Sequence, residues 1–401
     1  MRVLWLTSEL PSPVGAGSAL REWHMVLGLA GRGDEVVVVA PVHESEREGA
    51  RRLRETGVDL RAYDRPASRR AEALRMVLRR PGLVAGLARV PLLAWQVDVF
   101  WTAMAPLVER AFADGAFDAV VVCHDWAVDW VRRVPPTPAR KVLLAENLTW
   151  VYYANRARSA KGVAALAYRA EAGRWLRYDR RRFDLYDTVV TVSEHDAEVA
   201  AGITSTQLVP IPGGVDTAAI APAGEPSDQP TVIFTGTLRW PPNAEGLRWL
   251  LSEIWPRVRR RVPGARLFVV GSNPSDDARA LADDSVEITG RVPELAPYFG
   301  QASVVVVPIL SGAGIRLKFL DALASGRGVV STRMGAEGVL ARDGEHALFA
   351  DDADAFADAV ATLLEDPERR REMGAAARAL AEERYDWRVL RASFERVLDT
   401  T

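Results

Sequence analysis

The sequence predicts an α/β protein made of two doubly wound, parallel-sheet halves, and three observations carry that prediction. Short β-branched runs such as Glu35-Val-Val-Val-Val-Ala40, Phe117-Asp-Ala-Val-Val-Val-Cys123 and Ala302-Ser-Val-Val-Val-Val307 have the pattern of strands buried on both faces. Between such runs lie segments with apolar residues three and four apart, which argues for helices. Midway, Pro222, Gly224, Pro226, Ser227 and Pro230 form the best linker signature in the chain. At 401 residues the chain is too long for one ordinary core. A hydrophobic fraction of 48% with 26% charge excludes a disordered protein, and a net charge of −2 argues against a nucleic-acid partner. Cys123 is the sole cysteine, so no internal disulfide forms. No signal peptide precedes Arg2 and no apolar run reaches membrane-spanning length, so a cytoplasmic location is the default expectation.

The first half opens with a strand at Val3–Thr7. A loop from Ser8 to Gly17 follows, then a helix to about Leu29 and a second strand at Glu35–Ala40. This βαβ unit implies a parallel sheet with a right-handed crossover. It is not a dinucleotide fingerprint: Leu20 stands where the third glycine belongs, and Ala40-Pro41 where the acid belongs. Gly15 and Gly17 read as ligand access to bare backbone or as a plain turn. Residues 50 to 110 are helical in composition, divided by Pro81, Pro91 and Pro106. Arginines are dense between Arg51 and Arg89, and the stretch 65–105 reads either as an anionic-membrane contact or as a solvated helix face. A second basic block runs from Arg174 to Arg182. His124 ends the strand Phe117–Cys123, and ligands of open α/β sheets collect at that end. A lone histidine is more often structural, and position alone argues for function. Strands at Lys141–Ala145, Asp187–Ser193 and Gln207–Pro210, with a helix at Ala164–Arg182, complete this half.

In the second half, strands are expected at Thr231–Phe234, Arg266–Val270, Ser285–Thr289, Ala302–Val307 and Val329–Thr332. Pro241-Pro242-Asn243 reads as a turn before a helix at Ala244–Arg260. The most informative stretch is Pro308–Thr332. Ser311-Gly312-Ala313-Gly314 is a loop without bulky side chains, and the helix after it points free N–H groups toward the loop. Arg316 and Lys318 stand in the first turn, where dipole preference alone would put acids. Lysine is otherwise rare, with Lys141 and Lys161 as the only others among 51 basic residues. An anion site explains this placement better than the bland alternative, an exposed Lys318–Asp321 ion pair of little energetic worth. No acid cluster in the sequence suits a divalent ion, so no metal and no cofactor is expected. Further helices are expected at Ala353–Glu365, Glu368–Arg384 and Asp386–Leu398.

Laid out in this way, the chain resembles the retaining glycosyltransferases of family 4, the glycosyl transferases group 1, which have the GT-B fold. The likeness rests on the opening strand and glycine loop, Phe117–Trp126, Val192-Ser193-Glu194 and Gly213-Gly214-Val215-Asp216. In the second half it rests on Phe234-Thr-Gly-Thr-Leu238, Val269-Val-Gly271, Thr289-Gly-Arg-Val292 and Gly312-Ala-Gly-Ile-Arg-Leu-Lys318. The resemblance implies two Rossmann-like domains facing a central cleft. The acceptor domain would span 1–212, the nucleotide-sugar domain 213–384, and a helix over 385–401 would return to the first domain.

By the same resemblance, His124 takes the family's active-site histidine position, and Asp321 takes the second acid of the paired-glutamate motif that holds the ribose hydroxyls. The first acid falls on Ala313, so backbone N–H groups of Ala313, Gly314 and Ile315 would hold the sugar. Arg239, Arg316 and Lys318 would supply the charges around the diphosphate. Gly15, Gly17, Gly236 and Gly312 would line the donor, and Arg291 with Val292 would meet the base. His124, Arg316 and Lys318 are thus the catalytic candidates. The partners implied are a nucleotide-diphosphate sugar and a small-molecule, glycan or lipid-linked acceptor. The implied reaction is metal-independent sugar transfer with retention, in bacterial-type glycan or glycoconjugate biosynthesis. An epimerase or hydrolase on the same fold, a two-domain sugar-binding protein and a catalytically silent homologue stand beside it.

Overall fold

A computed structural model describes residues 1–13, 17–64, 91–220, 229–311 and 315–400. The chain forms two units: Met1–Pro212 with Leu390–Thr401, and Gly213–Val389. Each is a parallel sheet covered by helices.

The first unit holds seven strands: β1 (Arg2–Leu6), β2 (Glu35–Val42), β3 (Asp59–Asp64), β4 (Ala119–Cys123), β5 (Arg140–Leu144), β6 (Thr188–Thr191) and β7 (Gln207–Pro210). Their order is β3-β2-β1-β4-β5-β6-β7. The register pairs Leu6 with Val39 and with Val122, so β1 and β4 end nearly level while β2 runs on to Val42. Leu4, Leu6, Val37, Val39, Val120, Val122 and Leu143 are buried together on one face. The helix Gly17–Arg32 lies against the sheet through Ala19, Trp23, Val26 and Leu29, and Gly33 ends it at φ +92°, a conformation favouring glycine. Within this unit the end of the last helix (Trp387–Asp399) packs Phe394 on Trp5, 5.6 Å between rings, and Arg391 on His24 at 2.6 Å.

The second unit has six strands: β8 (Thr231–Thr235), β9 (Arg266–Val270), β10 (Val286–Gly290), β11 (Val304–Val307), β12 (Gly328–Ser331) and β13 (Leu348–Phe349). The order is β10-β9-β8-β11-β12-β13. One face packs on Leu247, Leu250, Ile254, Phe356 and Leu363; the other on Phe319, Leu320, Leu323 and Ala377.

Several local expectations are corrected. The stretch 50–110 is not uniformly helical: Asp59–Asp64 is β3, an edge strand whose mixed polarity hid it among arginines. Pro106 lies inside the helix Leu92–Ala113, where buried Met104, Val108 and Ala111 hold the helix despite one missing N–H. Pro241 and Pro242 do not form a separate turn but open the helix Pro241–Trp249, since proline suits a first helical turn. That helix widens over Leu250–Ile254 before continuing to Arg261. The helix Thr149–Ser159 and the two-residue strand β13 were not anticipated from sequence. The linker residues 222–227, Gly15, Gly312, Ala313, Gly314 and the basic stretch 65–90 lie outside the described residues.

Candidate active site

Both sheets reverse strand order once. In the first unit the chain runs outward from β1 through β2 to β3, then returns to place β4 on the other side of β1. The second unit reverses in the same way between β8 and β11. At such a switch point the loops leave the carboxyl ends of adjacent strands in opposite directions and open a crevice. Among the described candidates, His124 lies at the first of these places and Gly236 and Lys318 at the second.

In the first unit, His124 follows β4 directly and is a non-glycine residue at φ +75°, a strained conformation of the kind that persists where surrounding structure demands it. Its ring is buried, stacked on Trp126 at 4.3 Å and 10°, and Trp126 Nε1 donates to Ser8 Oγ at 3.0 Å. His124 Nε2 lies 3.2 Å from Glu9 Oε1 and 3.3 Å from Glu22 Oε1. Glu22 is itself fixed, accepting from Trp5 Nε1 at 2.9 Å and Thr7 Oγ1 at 3.0 Å. Burial alone would favour a neutral imidazole, but the two carboxylates outweigh it and raise the His124 pKa to about 10. The ring is therefore an imidazolium at neutral pH, able to donate but not to act as a base.

One helical residue earlier, the buried Arg21 pairs with Glu146 at 2.8 Å and donates to the Ile211 carbonyl at 2.6 Å, tying β5 and the end of β7 to the same helix. Burial raises the Glu146 pKa to about 7, against the opposing pull of Arg21. Gly17, the described glycine of the Gly15/Gly17 pair, is the exposed first residue of this helix.

Glu9, Glu22 and His124 present ligand-type atoms within 4.8 Å of one another, the one such group found among the described residues. The sequence alone showed no acid cluster of this kind, because the three come from separate elements. With Nε2 between two carboxylates, the imidazolium proton occupies the place a cation would take. Glu22 did leave a signal. Ala19, Glu22, Val26 and Leu29 follow helical spacing and are all buried, so an acid stands on the core stripe. Glu146 is likewise an acid immediately beyond an apolar strand.

In the second unit, Lys318 reaches back from the helix Leu317–Ala324 to the end of β8. Its Nζ donates to the Thr235 carbonyl at 3.0 Å and to Asn243 Oδ1 at 2.5 Å, and sits 4.8 Å from the Phe234 ring centre. Asn243 Nδ2 donates in turn to the Thr237 carbonyl at 2.9 Å. The Lys318–Asp321 pair is not an exposed one: both side chains are half-buried, and the lysine's hydrogen bonds go to Thr235 and Asn243. Burial lowers the Lys318 pKa to about 7, partly countered by Asp321, and burial raises Asp321 to about 7, partly countered by Lys318. Arg316 immediately precedes the helix and makes no side-chain cap; its Nη2 lies 3.6 Å from Glu337 Oε2, and burial lowers its pKa too.

Gly236, at φ +149°, sits under Lys318 and Asn243: a Cβ there would come within 2.8 Å of each. Gly271 packs on the Gly236 backbone, where a Cβ would lie 1.8 Å from the carbonyl oxygen. Gly271 N donates to the Gly290 carbonyl at 3.0 Å, so the loops after β8, β9 and β10 form one connected ledge. Arg239 and Trp240 are exposed on it. Arg291 is exposed beyond β10, and Val292 lines a recess of about 510 Å³ with Phe268, Pro293 and Tyr298. Ile315 is half-buried against the core beneath Arg316. The structure thus sets Lys318 over Gly236 at the end of β8, with Asp321 on the same helix and Ile315 and Arg316 just before it, and Arg239, Arg291 and Val292 beyond the neighbouring strand ends.

Residues 229–366 match the family model described as glycosyl transferases group 1. The matched segment lies within the second unit. The chain is 33% identical over 207 residues to the phosphatidyl-myo-inositol mannosyltransferase of Mycolicibacterium smegmatis, covering 49% of this chain and 52% of that protein. It is 31% identical over 220 residues to the GDP-mannose-dependent alpha-(1-6)-phosphatidylinositol monomannoside mannosyltransferase of the same organism, covering 48% and 56%. The chain thus spans about half the length of the curated relatives it matches. Among solved structures, the sucrose-phosphate synthase of Thermosynechococcus elongatus superposes with a TM-score of 0.68 over 99% of this chain and 98% of its own, at 17% identity. HepE of Anabaena in complex with UDP does so with 0.69 over the whole of both chains, at 13% identity. At those identities the likeness is one of fold, and the fold is GT-B: two Rossmann-like parallel-sheet domains. The helix carrying Lys318, and Arg316 before it, fall inside the segment matched by the family model.

Proposed function

We propose that the chain is a glycosyltransferase that moves a sugar from a nucleotide-diphosphate sugar to an acceptor hydroxyl, with retention and without a divalent ion. The observation that carries this reading is the placement of Arg316 and Lys318 at a helix start in the β8/β11 crevice, within a matched group 1 segment. Departure of the diphosphate leaves negative charge on phosphate oxygens, and fixed cations with helix N–H groups stabilise that charge most in the transition state. Lys318 suits the role because its amine is already oriented by Thr235 and Asn243. An arriving diphosphate favours its protonated form, so charge appears when the donor is present. Arg316, half-buried, adds a second fixed cation.

On this reading Asp321 accepts from the ribose hydroxyls, and the acceptor oxygen attacks the anomeric carbon on the face the diphosphate leaves. The acceptor's proton passes to the departing phosphate oxygen. His124, held as an imidazolium, orients oxygen atoms of sugar or acceptor as a donor instead of removing that proton.

The mannosyltransferase names of the relatives support a GDP-sugar as the first donor to test, and the UDP held by HepE supports UDP-sugars as the second. The phosphatidylinositol in those names supports a polyol headgroup on a membrane lipid as acceptor. None of the described helices is long and apolar enough to cross a membrane.

The test is turnover of GDP-mannose and UDP-glucose with and without a polyol lipid acceptor, for the parent chain and for Lys318→Ala and Arg316→Ala. Transfer that falls at least about tenfold in each variant, roughly 1.4 kcal/mol of barrier, is expected. A smaller loss overturns the clamp. Equal donor consumption without acceptor makes the chain a hydrolase.

A further inference from the structure

The basic surface of the first unit plays no part in the chemistry proposed above. Two packed helices, Thr149–Ser159 and Gly162–Asp179, meet there at Ala160-Lys161. Their far end is anchored by Trp175 and Tyr178, both buried in the core. At the joint, the usual distribution of side chains is inverted. Val163 is 83% exposed and Leu166 63%, the most exposed large hydrophobic side chains among the described residues, and Tyr152 on the neighbouring helix is 45% exposed. Val163 and Leu166 are three apart and share one helix face. Singly exposed aliphatics need no explanation, but a pair on one helix face in a segment whose charges from Thr149 to Ala170 are all basic does.

The rim is basic. Between Thr149 and Ala170 the chain has four Lys or Arg residues and no Asp or Glu, in a protein of net charge −2. Arg158, Lys161 and Arg169 are exposed there. A symmetric dimer through this patch would set like charges against one another. A partner that is negative at its surface and apolar just beneath fits both features, and that is the profile of an anionic bilayer. Aliphatic side chains enter the headgroup–acyl boundary, tyrosine favours the interface, and long basic side chains keep their charge among the phosphates.

We infer that this helical joint docks the chain on an anionic lipid surface, with Val163, Leu166 and Tyr152 inserted and Arg158, Lys161 and Arg169 on lipid phosphates. The contact lies outside the 65–105 stretch that composition singled out, and it stands whether or not the proposed reaction is correct.

Sedimentation of the full chain with phosphatidylcholine vesicles, with and without phosphatidylglycerol, tests it. The parent chain should bind the anionic vesicles and release them as salt rises. Val163→Asp with Leu166→Asp should weaken binding at least about tenfold. Replacing Arg158, Lys161 and Arg169 by glutamine should weaken it about fivefold per charge. Because Cys123 is buried, Leu166→Cys gives an accessible thiol for an environment-sensitive dye, whose emission should shift to the blue on anionic vesicles. Absence of anionic binding, no dye shift, or binding unaffected by the substitutions overturns the inference. So does a parent dimer that the Asp pair converts to monomer.

Discussion

Replacing Glu22 by glutamine probes the charge arrangement around His124 most directly. In the folded chain the imidazole titrates at about 10 instead of 6.5. At 1.36 kcal/mol per pK unit this corresponds to about 5 kcal/mol of preference for the charged ring. Two carboxylates at 3.2 and 3.3 Å share that preference, so neutralising one removes about 2–3 kcal/mol. The sign follows from linkage. Folding raises the pKa of this base, so its stabilising contribution is complete below 6.5 and is lost as pH climbs through about 10. Glu146, whose folded pKa is raised to about 7, loses stability as pH rises from 4.5 to that point and contributes no slope above it. Between about pH 8 and pH 10 the urea curves also carry the opposite slope of Lys318, whose folded pKa is lowered to about 7, so the histidine is isolated by differences between chains that all keep Lys318. Glu22→Gln should be about 2–3 kcal/mol less stable than the parent near pH 8, with the gap narrowing toward pH 10. Subtracting His124→Asn from the parent should give a contribution that shrinks by about 2 kcal/mol over the same range. A gap that stays flat, or a His124 proton resonance titrating near 6.5, would refute the reasoning.

Other consequences concern the remaining buried groups. With Lys318 at about 7 in the free protein, a nucleoside diphosphate binding at about pH 8 should take up a proton, visible as buffer-dependent binding heat; Lys318→Arg should abolish that dependence. Gly271→Ala places a Cβ 1.8 Å from the Gly236 carbonyl oxygen, so the β8–β9 ledge must move. A loss of about 1–3 kcal/mol, measured by denaturation, is expected together with weakened nucleotide binding. Arg21→Met leaves Glu146 buried without its 2.8 Å partner and should cost about 3–5 kcal/mol near pH 8. At about pH 6 the cost should be smaller, because Glu146 can then stay neutral.

Much of the molecule is decided by local pattern. Runs such as Val36–Val39, Val120–Cys123 and Val304–Val307 suit a strand covered on both faces, and they are the central strands of the two sheets. The helix after β11 was legible from its spacing, and so was the anomaly of two cations at its start. Where local pattern was ambiguous, tertiary packing decided. Asp59–Asp64 becomes a strand only because β2 offers an edge to pair with, and Pro106 stays inside a helix because buried neighbours outweigh one lost hydrogen bond.

The sites divide along the same line. A chemically unusual residue type at a strand end, such as His124 or Lys318, is visible in one dimension. What such a residue does depends on groups brought from elsewhere by the sheet order. Glu22, 102 positions before His124, sets its charge, and Asn243, 75 positions before Lys318, fixes the direction of its amine. Electrostatic energy depends on distance through space and on exclusion of water, and a sequence states neither.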